Sequence, residues 1–332
     1  MAATALTGLT ACQSDDEPQG NTAQLPISLT ASIGEDMTRS YNATNLLNGD
    51  TCYVWADMVN GSTQAVTEYF KAWTLIANGS GGLSPQVNGN VKLFPATNVL
   101  NFYALVGNFG TKTIGEEPNQ EEVPTVTPEE TVFPQETGIV HTVLADQSTA
   151  ANYYKSDLLY GAKENQEPVS EAVVLPFQHL LSRIEVVIVA GNGMTTTDLT
   201  NAEVSLLSLK RQVTFYPNSS TNQLNIPTWS TVSNIKLETC SVASTSDATA
   251  ANSTAYADAI VVPQAIAEGT DFIKVSYLGR DTYYKAPVGG LTFESGKQYR
   301  FRLIADRIGA TYEQSIVITP WTTQSNTKKW VE

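Results

Sequence analysis

The chain has 332 residues, 19 Lys and Arg against 33 Asp and Glu for a formal charge of −14, and only two His and three Cys. So acidic a chain offers a polyanion no basic surface, which excludes nucleic acid as a partner, and 42% hydrophobic residues exclude global disorder. The scarcity of His and Cys excludes most metal clusters and a histidine-based catalytic apparatus, and roughly 100–200 residues per domain predicts two domains.

The N-terminus contains Leu6-Thr7-Gly8-Leu9-Thr10-Ala11-Cys12, apolar and small and ending in cysteine. It resembles a bacterial lipobox, in which a signal peptidase cuts before the Cys and diacylglycerol alkylates its thiol, so Cys12 is the expected lipidation site. Gln13–Gly20 is polar, acidic and turn-rich, as a flexible tether would be. No apolar run reaches the roughly 18–20 residues needed to span a bilayer. Cys52 and Cys240 lie far apart without a CxxC partner, so they read as buried free thiols rather than a zinc site or a bridge.

Residues 25–33 alternate strictly: Leu25, Ile27, Leu29, Ala31 and Ile33 are apolar, and Pro26, Ser28, Thr30 and Ser32 fall between them. This predicts a half-buried strand, with Pro26 suited to the start of an edge strand. Further strands are predicted at Thr51–Met58, Val99–Val106, Ile184–Val189, Ala202–Leu209, Ala259–Val262, Phe272–Leu278, Tyr299–Ile304 and Tyr312–Thr319. Turn clusters such as Asn78–Gly82, Asn88-Gly89-Asn90 and Gly289-Gly290 separate them, and Thr, at 40 residues, favours strands. Val66–Ile76 is the one stretch with a helical case. Gly115–Gly138 carries seven Glu, four Pro and no Lys or Arg, and reads as a solvated acidic loop without the spacing of a calcium site. Thr239–Ala255 and Ala162–Glu171 read as further loops.

No HExxH, GxSxG, P-loop or dinucleotide fingerprint is present. His141 and His179 read as satisfied structural histidines. A hydrolase would need two carboxylates roughly 5–10 Å apart in a cleft, and nothing in the sequence points to such a pair. Five Trp and fourteen Tyr could build a sugar-stacking platform, although aromatics at strand positions are more often core. No catalytic residue, metal ligand or cofactor site is predicted.

Several segments then read together. Leu175-Pro176-Phe177-Gln178-His179-Leu180-Leu181-Ser182-Arg183-Ile184-Glu185-Val186 resembles the F-x-H-x-L-S-R-I-x-V strand of the fimbrillin family. Val261-Val262-Pro263-Gln264, Phe272-Ile273, and Leu291, Phe293, Gly296, Lys297 and Tyr299 are similar to its C-terminal half. Ile316-Val317-Ile318-Thr319-Pro320-Trp321 with a last Trp330 resembles its terminal strand, Trp, short tail and Trp. Asn101-Phe102-Tyr103-Ala104 and Asp157-Leu158-Leu159-Tyr160-Gly161 match its N-terminal half, so the likeness covers nearly the whole chain.

The resemblance implies an all-β fold of two tandem transthyretin-like Greek-key β-sandwich domains, and a non-enzymatic subunit of a type V pilus that supports adhesion. The division expected is a lipobox and tether over 1–20, an N-terminal domain over 21–190 and a C-terminal domain over 191–332, parted at the Gly191-Asn192-Gly193 turn; a loop at Lys163–Glu171 is the alternative boundary. It further implies a precursor lipid-anchored in the outer membrane through Cys12, which later enters an extracellular fimbrium. A trypsin-like protease would cut between Arg39, the first basic residue of the chain, and Ser40. The displaced strand would be Leu25, Ile27, Leu29, Ala31 and Ile33. The donor filling the groove of another subunit would come from residues 314–332, with Ile316, Val317, Ile318, Trp321 and Trp330. Expected partners are other fimbrial subunits, in a homo- or hetero-polymer, the processing protease, and ligands on host or bacterial surfaces. The alternative is a tip adhesin or a glycan- or protein-binding surface lipoprotein outside the stalk.

Overall fold

The computed structural model describes residues 24–33, 45–114, 121–217, 223–228, 230–239, 241–242, 254–307 and 310–321. Nearly all of its regular structure is strand, as the alternating pattern and turn clusters predict. The first half contains β1 (Leu29–Ile33), β2 (Thr51–Val59), β3 (Val66–Ala77), β4 (Gly82–Pro85), β5 (Val99–Val106) and a hairpin of β6 (Thr111–Ile114) with β7 (Glu121–Pro124). After it come β8 (Ile139–Thr142), β9 (Asp146–Gln147), a short helix α1 (Ala150–Lys155), β10 (Leu159–Gln166) and β11 (Val173–His179). Seven of these strands hydrogen-bond around a closed barrel in the order β1-β11-β10-β5-β2-β3-β4, with β4 pairing back onto β1. Its interior is apolar, filled by residues such as Trp73, Phe102, Leu175 and Phe177.

The second half contains β12 (Ser182–Ala190), α2 (Thr196–Leu199), β13 (Glu203–Lys210), β14 (Gln212–Tyr216), β15 (Gln223–Asn225), β16 (Val232–Leu237), β17 (Ser241–Val242) and β18 (Thr254–Val261). It continues with β19 (Ala265–Ile266), β20 (Asp271–Tyr277), β21 (Arg280–Lys285), β22 (Leu291–Thr292), β23 (Lys297–Ala305) and β24 (Ala310–Pro320). Two five-stranded sheets form, β17-β18-β12-β23-β24 and β21-β20-β13-β16-β9, with a smaller sheet β15-β14-β8 and a β19–β22 pair. Two strands from before residue 150, β8 and β9, thus join sheets of the second half. A second core runs through these sheets and reaches Trp55, Tyr103 and Tyr160 on the outside of the barrel.

Four expectations need correction. The stretch Val66–Ile76 is strand β3, not helix: it is rich in Val, Thr, Tyr, Phe and Trp, and it pairs with β2. Register shifts in that pairing around Val54–Asp57 break the strict alternation, and this irregular spacing is what mimicked a helical period. The expected acidic loop contains β7 and then docks on the barrel, where Phe133 stacks on Tyr103 with ring centroids 4.3 Å apart. The expected loop at Ala162–Glu171 is strand as far as Gln166, carried by a bulge at which Asn165 adopts a positive φ. The expected loop over Thr239–Ala255 holds β17 and the first residues of β18, and residues 243–253 lie outside those described.

The segment Leu175–Val186, read as one strand, is divided at Leu180-Leu181. β11 ends at His179 within the barrel, and β12 starts at Ser182, pairing antiparallel with β18 and parallel with β23. Both leucines are buried, so the chain changes sheet at an apolar step. The Gly191-Asn192-Gly193 turn closes β12, and there the Asn192 N–H donates to Asp306 at 2.7 Å.

Candidate functional site

The alternating N-terminal segment takes the position that closes the barrel. Its strand proper, β1, is held on one side by β11 in parallel register, Leu29 opposite Val173 through Ile33 opposite Phe177. On the other side it meets β4 antiparallel at Leu29 and Thr30 only. Upstream, Pro26 bridges Leu93, the Ile27 N–H donates to the Lys92 carbonyl at 2.8 Å, and the Phe94 N–H donates to the Leu25 carbonyl at 2.8 Å. Ile27, Leu29, Ala31 and Ile33 are 5, 2, 3 and 0% exposed, because alternation aims all four into the barrel. Leu25, beyond the last interior layer, is 37% exposed.

At the middle of β1 the Ala31 N–H donates to the Gly81 carbonyl at 2.7 Å. Gly81 has φ +95°, and a Cβ there would lie 3.2 Å from both the Ala31 carbonyl oxygen and Asn45 Oδ1. A side chain at Gly81 would therefore both strain the backbone and push β1 outward.

β11 serves two segments at once. Residues Val173–Pro176 have β1 as their only strand partner among the described residues, since β10 pairs with β11 only from Phe177 to His179. His179 ends β11 on the same side as Val173, Leu175 and Phe177. Its ring stacks on Trp321, centroids 3.8 Å apart and planes 11° from parallel. Nδ1 of His179 lies 2.8 Å from a carboxylate oxygen of Asp157, and both side chains are buried.

Trp321 follows β24 directly and is itself buried; its backbone N–H donates to the Gly296 carbonyl at 2.8 Å. Among the described residues β24 is an edge strand, paired antiparallel with β23 alone, and places Ile316 opposite Phe301, Val317 opposite Arg300 and Ile318 opposite Tyr299. Ile318 is 57% exposed, high for an isoleucine. Cys12, Arg39, Ser40, Cys240 and Trp330 lie outside the described residues.

The remaining singled-out groups are structural. His141 is buried between β8 neighbours, with Nδ1 accepting from the Asn108 N–H at 3.0 Å and Nε2 donating to the Ser156 carbonyl at 2.9 Å. Burial pushes its pKa down to about 4, against a raising effect of the Ser156 hydrogen bond and the Asp157 charge, so the ring is neutral at pH 7. Cys52 is a buried free thiol whose pKa is pushed up by burial and then by Asp50. Trp55, Trp73 and Trp321 are all buried, which leaves them no sugar-stacking face.

The fimbrillin-like family model matches residues 38–321. The chain belongs to the fimbrillin-like family. It is thereby a pilus-related protein. The crystal structure of a candidate cell adhesion protein from Bacteroides ovatus is similar at 17% identity, covering 91% of this chain and 100% of that one, with a TM-score of 0.62. Another candidate cell adhesion protein, from Bacteroides uniformis, is similar at 19% identity over 90% of this chain and 98% of that one, with a TM-score of 0.57. These two likenesses speak for a shared fold. No curated protein matches the chain.

The sequence pattern found the alternating strand but not its neighbours. The flanking role of β11 was legible in principle, because Val173, Leu175, Phe177 and His179 alternate with Val174, Pro176 and Gln178. The stack of His179 on Trp321 joins residues 142 positions apart, and no local signal announces it.

Proposed function

We propose that this fimbrillin-like chain is a structural pilus subunit built by strand exchange. It is exported as a lipoprotein anchored through Cys12 in the outer membrane and cut between Arg39 and Ser40. It then passes into an extracellular fimbrium, and its two halves are transthyretin-like sandwich modules, the sheets of the first joined at their edges into the closed barrel. The observation that carries this reading is the position of β1, the closing strand of a barrel, joined to the remainder through residues 34–44, which include Arg39. A cut there leaves β1 held by non-covalent contacts alone. Ile27, Leu29 and Ile33 at roughly 1.5–3 kcal/mol each, with a smaller share from Ala31, set the scale of what a replacement strand can recover, before the cost of ordering it.

Donor-strand exchange supplies that replacement. The strand ladder gives affinity and alternate pockets give selectivity, and a head-to-tail contact that does not close on itself yields a filament. The donor of this chain is the C-terminal segment with Ile316, Val317, Ile318, Trp321 and Trp330. Support comes from the edge position of β24 among the described residues and from the exposure of Ile318. The pilus serves adhesion, and its partners are other fimbrial subunits and a trypsin-like protease.

The test is limited cleavage of the full chain followed by mass spectrometry. A new N-terminus at Ser40 is expected, and the processed chain, mixed with the fimbrial subunits of the cell that makes it, enters SDS-resistant ladders. The Arg39→Ala chain does neither. A processed chain that keeps its N-terminal fragment and joins no ladder would refute the proposal.

A further inference from the structure

Resting on the strand-exchange reading above, the groove under β1 also says which strand can enter it. Its four pockets, seen from their present occupants, run Ile27, Leu29, Ala31, Ile33, that is large, large, small, large at alternate positions. All four are filled to burial, and a close-packed interior does not absorb an added side chain without displacing its neighbours. The third position holds an alanine 3% exposed, so the space there is filled by a single methyl group, and beside it the Ala31 N–H meets the Gly81 carbonyl at 2.7 Å. The occupant also needs an N–H at the first and third positions, where Ile27 and Ala31 donate to the carbonyls of Lys92 and Gly81. Proline is thereby excluded from both.

Residues 310–332 of the same chain do not meet these conditions in either direction. Their alternate positions read Ala310, Tyr312, Gln314, Ile316, Ile318, Pro320, Thr322 in one set and Thr311, Glu313, Ser315, Val317, Thr319, Trp321 in the other. Neither contains four consecutive apolar members. With Ile316 and Ile318 in the first two pockets, Pro320 falls in the third, where it has no N–H for Gly81, and Thr322 falls in the fourth. The register that puts a small residue third, Ser315-Val317-Thr319-Trp321, places a serine in the first pocket, a hydroxyl in the third and a tryptophan where an isoleucine is fully buried. Beyond Thr322 the tail is polar or basic apart from Trp330 and Val331.

We infer that the groove of this subunit takes a strand from a different chain, one with large, large, small and large apolar residues at alternate positions, and not the C-terminal segment of a second copy. The acceptor and donor surfaces of the chain do not fit each other, so it sits between unlike neighbours.

The experiment uses the full chain, cut after Arg39 with a labelled N-terminal fragment still seated, and measures release of that fragment by added peptides. A peptide of residues 25–33 displaces it. A peptide of residues 310–332 is expected to be roughly 100-fold or more weaker, because two of four pockets lose an apolar filling. The 25–33 peptide carrying Ala31→Leu is expected to fail likewise, and the processed chain alone stays monomeric. Equal displacement by the 310–332 peptide, or ladders formed by the processed chain alone, overturns the inference while leaving strand exchange in place. Undiminished displacement by the Ala31→Leu peptide overturns the small third pocket. If no peptide displaces the fragment, its own sequence included, the strand-exchange reading itself fails.

Discussion

Replacing Ile33 by Ala probes whether β1 is the seam of the barrel. Ile33 is fully buried and sits opposite Phe177 at the end of the parallel register with β11. Removing a buried isoleucine down to the β-carbon costs about 2–5 kcal/mol, part transfer and part cavity. About 3 kcal/mol corresponds to a rise of roughly 150-fold in the opening equilibrium of whatever unit the residue holds shut. If β1 opens by itself, the amides that depend on it exchange faster by that factor. These include Val173, whose N–H donates to the Ser28 carbonyl at 2.8 Å, with Val174 and Leu175 beside it. Ile184–Val189 in β12, flanked by β18 and β23, keep their protection. Hydrogen exchange read by mass spectrometry separates the two segments. Unchanged exchange at Val173–Leu175, or equal acceleration in β12, would show that β1 is no separate unit and would sink the seam.

Two further outcomes follow from buried groups. His141 is held neutral in the folded protein with a pKa of about 4, below the 6.5 of a free histidine. Its contribution to stability is therefore complete above pH 6.5 and is lost as pH falls through 4, amounting to about 3 kcal/mol for a shift of that size. Denaturant midpoints measured from pH 7 to pH 4 should fall for the native chain and fall less for His141→Gln; parallel curves would contradict this assignment. Trp321→Ala removes the ring stacked on His179 and costs about 3–5 kcal/mol. Amides at the Lys297–Phe301 end of β23 and in the adjoining part of β24 should lose protection, whereas those of β2 and β5 should not.

Much of the strand content was legible because it rests on local pattern. Thr51–Met58, Val99–Val106 and Tyr299–Ile304 are apolar on one or both faces and end at turns, and each lies within an observed strand. The interior set of β1 was legible for the same reason, as four of the five alternating residues are buried. What was not legible is non-local. Strand β3 carries bulged pairing that only its partner β2 explains, and β7 is strand only because β6 lies beside it. The break at Leu180-Leu181 looks like uninterrupted strand because buried connectors and buried strands share a composition. Nor does a sequence show that β1 pairs in parallel with β11 on one side and with β4 on the other, which is the fact that makes it a closing strand.

That parallel pairing also explains where selectivity has to reside. β1 is short, meets β4 at two residues and has its longer ladder with a parallel neighbour, a geometry slightly weaker per residue than the antiparallel one. Any extended chain of the right direction can rebuild such a ladder, since backbone groups are common to all sequences. The hydrogen bonds to Gly81, Lys92 and Val173 thus attract a strand without choosing one. On the proposed exchange, choice lies with the four interior side chains, and at Ala31 a proline would also lose the bond to Gly81. On the strand exchange proposed above, a groove whose hold is generic along the backbone and specific at its buried interior positions admits few strands, and that selectivity would set the order of subunits.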